Sequence, residues 1–170
     1  GRFDAVVVVA LDHPQVRAAI DDLAATGAAV VTLVSDVPGS RRLRFVGVDN
    51  VAAGRTAGTL LGRFVGAREG RVGVVLGSHA LRDHAERLFG FRGVLGDDFP
   101  GLKILEPIEC QDRTDQTEPL VAAMLQRERA LVGLYSIGAG NRGIRAALEA
   151  SGRARDIVWI CHELTPDARR

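Results

Sequence analysis

The stretch "FVGVDNVAAGRTAGTLLGRF", residues 45–64, decides how the chain is built. It opens like a strand buried inside a sheet and becomes helical within two residues of the strand's end. The junction is an acid and an amide, Asp49 and Asn50, and glycines follow at every fourth position, Gly54, Gly58 and Gly62. On a helix that spacing lines one face. Each interior glycine costs roughly 1 kcal/mol of helix propensity against alanine. Close packing against a sheet or another helix has to offset that cost. Arg55 and Arg63 exclude a lipid-facing use of the same stripe. Leu60, Leu61, Phe64 and Val65 supply the apolar anchor.

Working outward, apolar runs alternate with helical patterns along the whole chain. Strands are expected over 5–11, 28–34, 43–48, 71–77, 102–109, 130–138 and 156–163, and helices over 13–27, 51–66, 82–99, 116–128 and 141–152. Near-continuous Val/Ile/Leu strands separated by single helices define an α/β class with a parallel sheet covered on both faces. Short right-handed connections make it an open, doubly wound fold. One unit breaks the rhythm: strands 28–34 and 43–48 are joined by the loop 35–42 with no helix. There the chain can leave one sheet and start another.

The 170 residues are 46% hydrophobic and 25% charged, an ordinary globular composition. A net charge of +1 gives no global field toward nucleic acid or an anionic membrane. No apolar run approaches the roughly 20 residues of a membrane-spanning helix. Cys110 and Cys161 match no metal or redox spacing and read as small, semi-buried residues. The opening "GRFDAVVVVA" lacks an initiator Met and reads as a piece of something longer.

In open parallel sheets, ligands bind in the crevice outside the carboxyl ends of the strands. There the strands deliver Asp12 and His13; Ser35 and Asp36; Asp49 and Asn50; and Ser78 and His79, with Arg82, Asp83 and Arg87 entering the next helix. Later strands deliver Gln111, Asp112 and Arg113; Ser136 and, after a glycine-rich turn, Asn141; and His162 with Glu163. Planar acids, amides and guanidinium groups bond hydroxyls as both donors and acceptors. They suit a sugar or polyol. Asx residues also cap helices at such places, so the set is not a site by composition alone. "GAGNRG", 138–143, has the spacing of a dinucleotide glycine loop, but the partnering acid would be Glu163 at the chain's edge. The four histidines lack zinc spacing, and no nucleophile elbow or phosphate-binding Walker loop is present. No metal, cofactor or catalytic residue is expected.

Taken together, "FVGVDNVAAGRTAGTLLGRF", "RVGVVLGS" followed by "ERLFGFRGVL", "LVGLYSIGAGNRGIRAALEASG" and "DIVWICHEL" resemble the effector-binding core of the lactose-repressor (LacI) family of bacterial transcription regulators. That core shares its fold with type I periplasmic sugar-binding proteins. The resemblance implies two α/β subdomains clamping a sugar-like effector. It makes residues 1–50 a partial N-terminal subdomain, 51–165 a nearly complete C-terminal one and 166–170 the start of a return segment. It puts Asp49 on the crevice floor as a ligand acceptor and Asn50 at the start of the crossover helix. Arg87 falls on the family's "RxxGF" arginine, Glu163 and His162 on its last strand end, and Asp36 on a first-subdomain contact loop. The family's Asn-Asp after the sixth strand is replaced here, leaving Ser136 or Asn141 as the substitute. "QDRT" replaces an aromatic contact, which implies a more polar or differently shaped effector.

The expected function is therefore ligand sensing by a cytoplasmic, dimeric, non-enzymatic regulator that touches DNA only through a helix-turn-helix outside this chain. The alternative is a periplasmic sugar-binding protein of a transporter. A nucleotide-cofactor α/β enzyme is more distant.

Overall fold

The computed structural model describes residues 3–166, 168 and 169. Residues 1 and 2 of the expected first unit, and 167 and 170 of the expected return segment, lie outside the described residues. The elements run β1 (Ala5–Val8), α1 (Pro14–Ala25), β2 (Ala29–Leu33), β3 (Arg44–Val46), α2 (Asn50–Val65), β4 (Gly70–Leu76), α3 (Arg82–Asp98), β5 (Leu102–Ile104), β6 (Ile108–Glu109), α4 (Thr114–Arg127), β7 (Leu131–Ser136), α5 (Asn141–Ala150) and β8 (Val158–Cys161). They form two parallel sheets, one ordered β1-β2-β3 and the other β5-β4-β7-β8, with β6 also on β4. The doubly wound α/β class is as the sequence implies.

The small sheet buries one face against α1, around Ala10, Ile20, Val30 and Val37. Its other face leaves Val7 and Val46 exposed. The large sheet is covered on both faces. Val72, Val74 and Leu76 of β4 join Tyr135 and Ile137 beneath α2 and α3, with Leu61, Phe91 and Leu95. Val75 and Leu134 face the other way, into a second core with Val121, Met124, Ile144 and Leu148 from α4 and α5. This inward alternation is the period-two pattern of a strand buried on both sides.

The expected strand 102–109 divides in two. Val72 pairs with Ile104 and Val75 with Ile108, so β5 and β6 together carry one residue more than β4 does over the same interval. The extra residue makes a bulge beside Pro107, which has no N–H for the ladder.

The glycine stripe has a definite partner. A Cβ on Gly54 would fall onto the Arg87 carbonyl oxygen of α3, and one on Gly90 onto the Val51 carbonyl oxygen of α2. Gly58 faces Val94 and Leu95, and Gly62 faces the Phe99 ring. The two helices therefore run side by side with backbones in contact. That proximity compensates the lost helix propensity, and it fixes where Arg87 starts.

A cleft at the carboxyl ends of the strands

A cavity of about 240 Å³ lies where the carboxyl ends of both sheets meet. The small sheet contributes Val9 and Val34, both aliphatic. The large sheet contributes Asp83, His84 and Arg87 from the first turns of α3, Asp112 from the turn after β6, Ile137 to Ala139 after β7, and His162 and Glu163 after β8. Chain order reverses between β4 and β7, because β5 lies on one side of β4 and β7 on the other. The cavity sits over that switch point, where open α/β sheets bind ligands.

Arg87 is the best-fixed polar group. Its Nε donates to Asn50 Oδ1 at 2.9 Å and its Nη1 to the Ile137 carbonyl at 2.9 Å. Asn50 is buried at the first position of α2. The amide at the strand–helix junction thus orients a guanidinium from the neighbouring helix. No described residue accepts a hydrogen bond from Nη2.

Asp83 is buried on the same helix edge, four residues before Arg87. Its Oδ1 has no hydrogen-bond partner. Oδ2 lies 3.7 Å from His84 Nε2, too far for a hydrogen bond. His84 Nδ1 faces the Gly77 and Ser78 N–H groups at 3.2 and 3.3 Å. That nitrogen accepts, so Nε2 carries the ring hydrogen.

Asp112 reaches the cavity by an unusual backbone. Gln111 and Asp112 have φ of +52° and +57°, left-handed values that L residues seldom adopt. The turn places the carboxylate between Gly77 and Gly138, where a Cβ on either glycine would collide with it. Asp112 Oδ1 accepts from the Ala139 N–H at 2.8 Å. Val34, with φ of +66°, is a second strained residue on the wall. Such conformations persist where surrounding structure imposes them, and they cluster at functional sites.

His162 lines the cavity and pairs with the buried Tyr135. The Tyr135 hydroxyl and His162 Nε2 are 2.6 Å apart. The tyrosine is fully buried and stacks on Phe91 with centroids 4.4 Å apart. Its hydroxyl hydrogen finds an acceptor only if His162 Nε2 is unprotonated. Burial pushes the imidazole down to about 4, helped by the positive charge of Arg87. Burial likewise pushes the phenol up. Unfolded chains take up the His162 proton near its ordinary value of about 6.5, whereas the folded protein refuses it until about pH 4. Stability should therefore be level above pH 7 and fall as pH drops from 6.5 toward 4. Melting temperatures at pH 7.5 and 5.0 check this, and His162→Gln should flatten the difference.

Four sequence candidates do not line the cavity. Asp36 is occupied within its own loop: its carboxylate accepts from Arg42 Nε and Nη2, from the Thr32 hydroxyl at 2.7 Å and from the Val37 N–H at 2.8 Å. The Arg42 guanidinium holds its pKa below the usual range. Asp49 is the N-cap of α2, accepting from the Ala52 N–H at 2.9 Å. An Asp49→Ala variant should lose about 1 kcal/mol of stability, seen as a melting point lower by about 2–4 °C, with ligand binding retained. Ser136 and Asn141 are buried and bonded to each other at 2.9 Å, so they brace the β7–α5 turn. The five others, Asp83, Arg87, Asp112, His162 and Glu163, share the cavity.

His84 and the aliphatic walls were not singled out from sequence. The signal for His84 was its place beside Asp83 and three residues before Arg87, on one helix edge. The glycine-loop spacing 138–143 also has another explanation. Gly138 makes room for Asp112, Gly140 has φ of +95° against Thr117, and Gly143 packs on the α4 backbone.

The fold is two parallel sheets with a cleft where their carboxyl ends meet. The chain belongs to the family described as the periplasmic binding protein domain, which it matches over residues 1–170. No curated protein sequence matches it. Among solved structures it is similar to XylFII, at TM-score 0.90 and 24% identity, covering 98% of this chain and 61% of that one. It is similar to GanP, a glucose-galactose binding protein from Geobacillus stearothermophilus, at TM-score 0.89 and 22% identity over 97% of this chain and 59% of that one. An ABC transporter solute-binding protein from Burkholderia graminis C4D1M, in complex with D-arabinose, gives TM-score 0.90 and 22% identity over 98% and 58%. The chain thus spans about three fifths of these proteins' length. At such identities the likeness establishes the fold.

Proposed function

We propose that the protein binds a small hydroxylated molecule of the carbohydrate class in the cleft over β4 and β7, without chemical conversion. The observation that carries this reading is Asp83 Oδ1, buried in the cavity wall without a donor. A buried acceptor left unpaired is costly, and a ligand hydroxyl removes that cost. The oriented Arg87 beside it supplies the complementary donor. Val9, Val34, Leu81 and Ile137 offer apolar surface to the C–H faces of such a ligand. The volume is below the roughly 300–1,000 Å³ of drug-sized pockets, which favours a monosaccharide over a dinucleotide.

For the intact protein we favour solute capture for an ABC transporter. Two of the compared proteins are a glucose-galactose binding protein and a transporter solute-binding protein holding D-arabinose, and such a protein works outside the cytoplasm. A lactose-repressor-type regulator, dimeric and cytoplasmic, would use the same cleft as an effector site, and the motifs around Arg87 keep it as the second reading. Either role requires the ligand to prefer one arrangement of the two halves.

A thermal-shift screen of neutral pentoses and hexoses tests the binding reading. Ligand at a hundred times its dissociation constant should stabilise the protein by about 2.7 kcal/mol. The absence of any shift across the panel would count against it. DNA retention by the intact protein, lost or gained with ligand, would favour the regulator.

A further inference from the structure

We propose that the cleft is built for a hydroxylated ligand bearing a protonated amine, an amino sugar or amino polyol, in preference to a neutral or anionic sugar. This rests on the carbohydrate reading above and specifies the ligand's charge. Three carboxylates, Asp83, Asp112 and Glu163, line the cavity, and Arg87 is the single guanidinium among them. Arg87 directs two of its donors at uncharged acceptors, Asn50 Oδ1 and the Ile137 carbonyl. Both imidazoles are engaged inside the protein. His84 Nδ1 accepts from two backbone N–H groups, and His162 Nε2 accepts from the Tyr135 hydroxyl. The wall is therefore net negative.

Asp83 marks where the amine belongs. It is only 4% exposed and its Oδ1 is unpartnered. A hydroxyl would satisfy that oxygen's hydrogen bond, whereas an ammonium would satisfy both the bond and the charge. The places where an anion would dock are already filled. The Ala139 N–H, just before α5, is bonded to Asp112 Oδ1. The Gly77 and Ser78 N–H groups at the end of β4 are bonded to His84. A phosphate approaching this helix start meets a carboxylate instead of free donors. Among the described residues no group of three or more His, Cys, Asp or Glu is arranged to hold a metal ion.

The test is calorimetric titration of the intact protein at neutral pH with D-glucose and D-galactose, their 2-amino-2-deoxy forms, the N-acetylated forms of those, and the 6-phosphates. The amino sugar should bind roughly tenfold or more tightly than its neutral parent and its N-acetyl derivative, and the phosphates should not bind. The preference should vanish in Asp83→Asn and shrink in Glu163→Gln, whose exposed position places no burden on folding. A neutral parent that binds as tightly as its amine overturns the charge assignment and leaves the carbohydrate reading standing. Failure of every sugar overturns both. An amine preference unchanged in both variants overturns the assignment to these carboxylates.

Discussion

An Arg87→Ala protein is expected to lose ligand binding by a factor of about a hundred or more. The guanidinium is the one cation lining the cavity, and Asn50 and the Ile137 carbonyl hold it in place before any ligand arrives. Hydrogen bonds to a charged group contribute about 1.5–3 kcal/mol each, and a planar fork offers two toward a pair of ligand oxygens. The lost orientation adds to the lost contacts, because a preformed donor requires no ordering on binding. Arg87→Lys should recover the charge but only part of the affinity, since an ammonium cannot bond Asn50, Ile137 and a ligand in the same plane. Removing the side chain also strands the Asn50 amide oxygen in a buried position, so the ligand-free variant should melt a few degrees lower. Calorimetry measures the affinity, and a melt without ligand separates the two effects. A dissociation constant within a few-fold of the original would move the binding site away from this cleft. Asp49→Ala makes the contrast. The sequence resemblance gives Asp49 a role like that of Arg87, but the cap on Ala52 turns its carboxylate to the helix end.

The residues around this cleft show which features a sequence carries and which it does not. Element type was legible because Val72, Val74 and Leu76 alternate with Gly73 and Val75 between two cores, a pattern that needs no tertiary information. The identity of the loops facing the cavity followed from the parallel sheet, since all strands point the same way. Which side chains enter the cavity did not follow. Asp36 and Asp112 both sit just past strand ends, yet one is saturated by Arg42 and Thr32 and the other is thrown inward by two left-handed residues. Nothing in "SDVP" or "CQDR" announces that difference, because it depends on a guanidinium six residues away in one case and on a left-handed turn anchored by the Ala139 N–H in the other. Ser136 and Asn141 were likewise plausible as ligand groups until their mutual hydrogen bond was seen. The glycine stripe lies between these extremes. Its spacing declared close packing but could not name the partner.

That partner makes Gly54→Ala the largest stability effect expected in the protein. The added methyl would lie within 3.0 Å of the carbonyl oxygen, carbonyl carbon and Cα of Arg87, all backbone atoms that no rotamer change can move. Overpacking of this kind costs about 1–3 kcal/mol and more when the neighbour is rigid, so a melting point lower by about 6–12 °C is expected. Gly90→Ala should behave alike, since its methyl meets the Val51 carbonyl from the other side of the same crossing. Two glycines of α3 supply the control. Gly93 and Gly96 have nothing within 4 Å of a built Cβ, and alanine there should raise stability by about 0.5–1 kcal/mol through helix propensity alone. Gly62→Ala should fall between, because the atoms in its way belong to the Phe99 ring, which can shift. The clash at Gly54 has a functional signature that a merely weakened fold would lack. Pushing α2 and α3 apart at Arg87 lengthens the reach from its guanidinium to Asn50 and Ile137, so ligand affinity should drop at temperatures where the variant remains fully folded. A Gly54→Ala protein with an unchanged melting point would mean that the helices do not cross this closely. Unchanged affinity in a destabilised variant would mean that Arg87 does not take its position from that crossing.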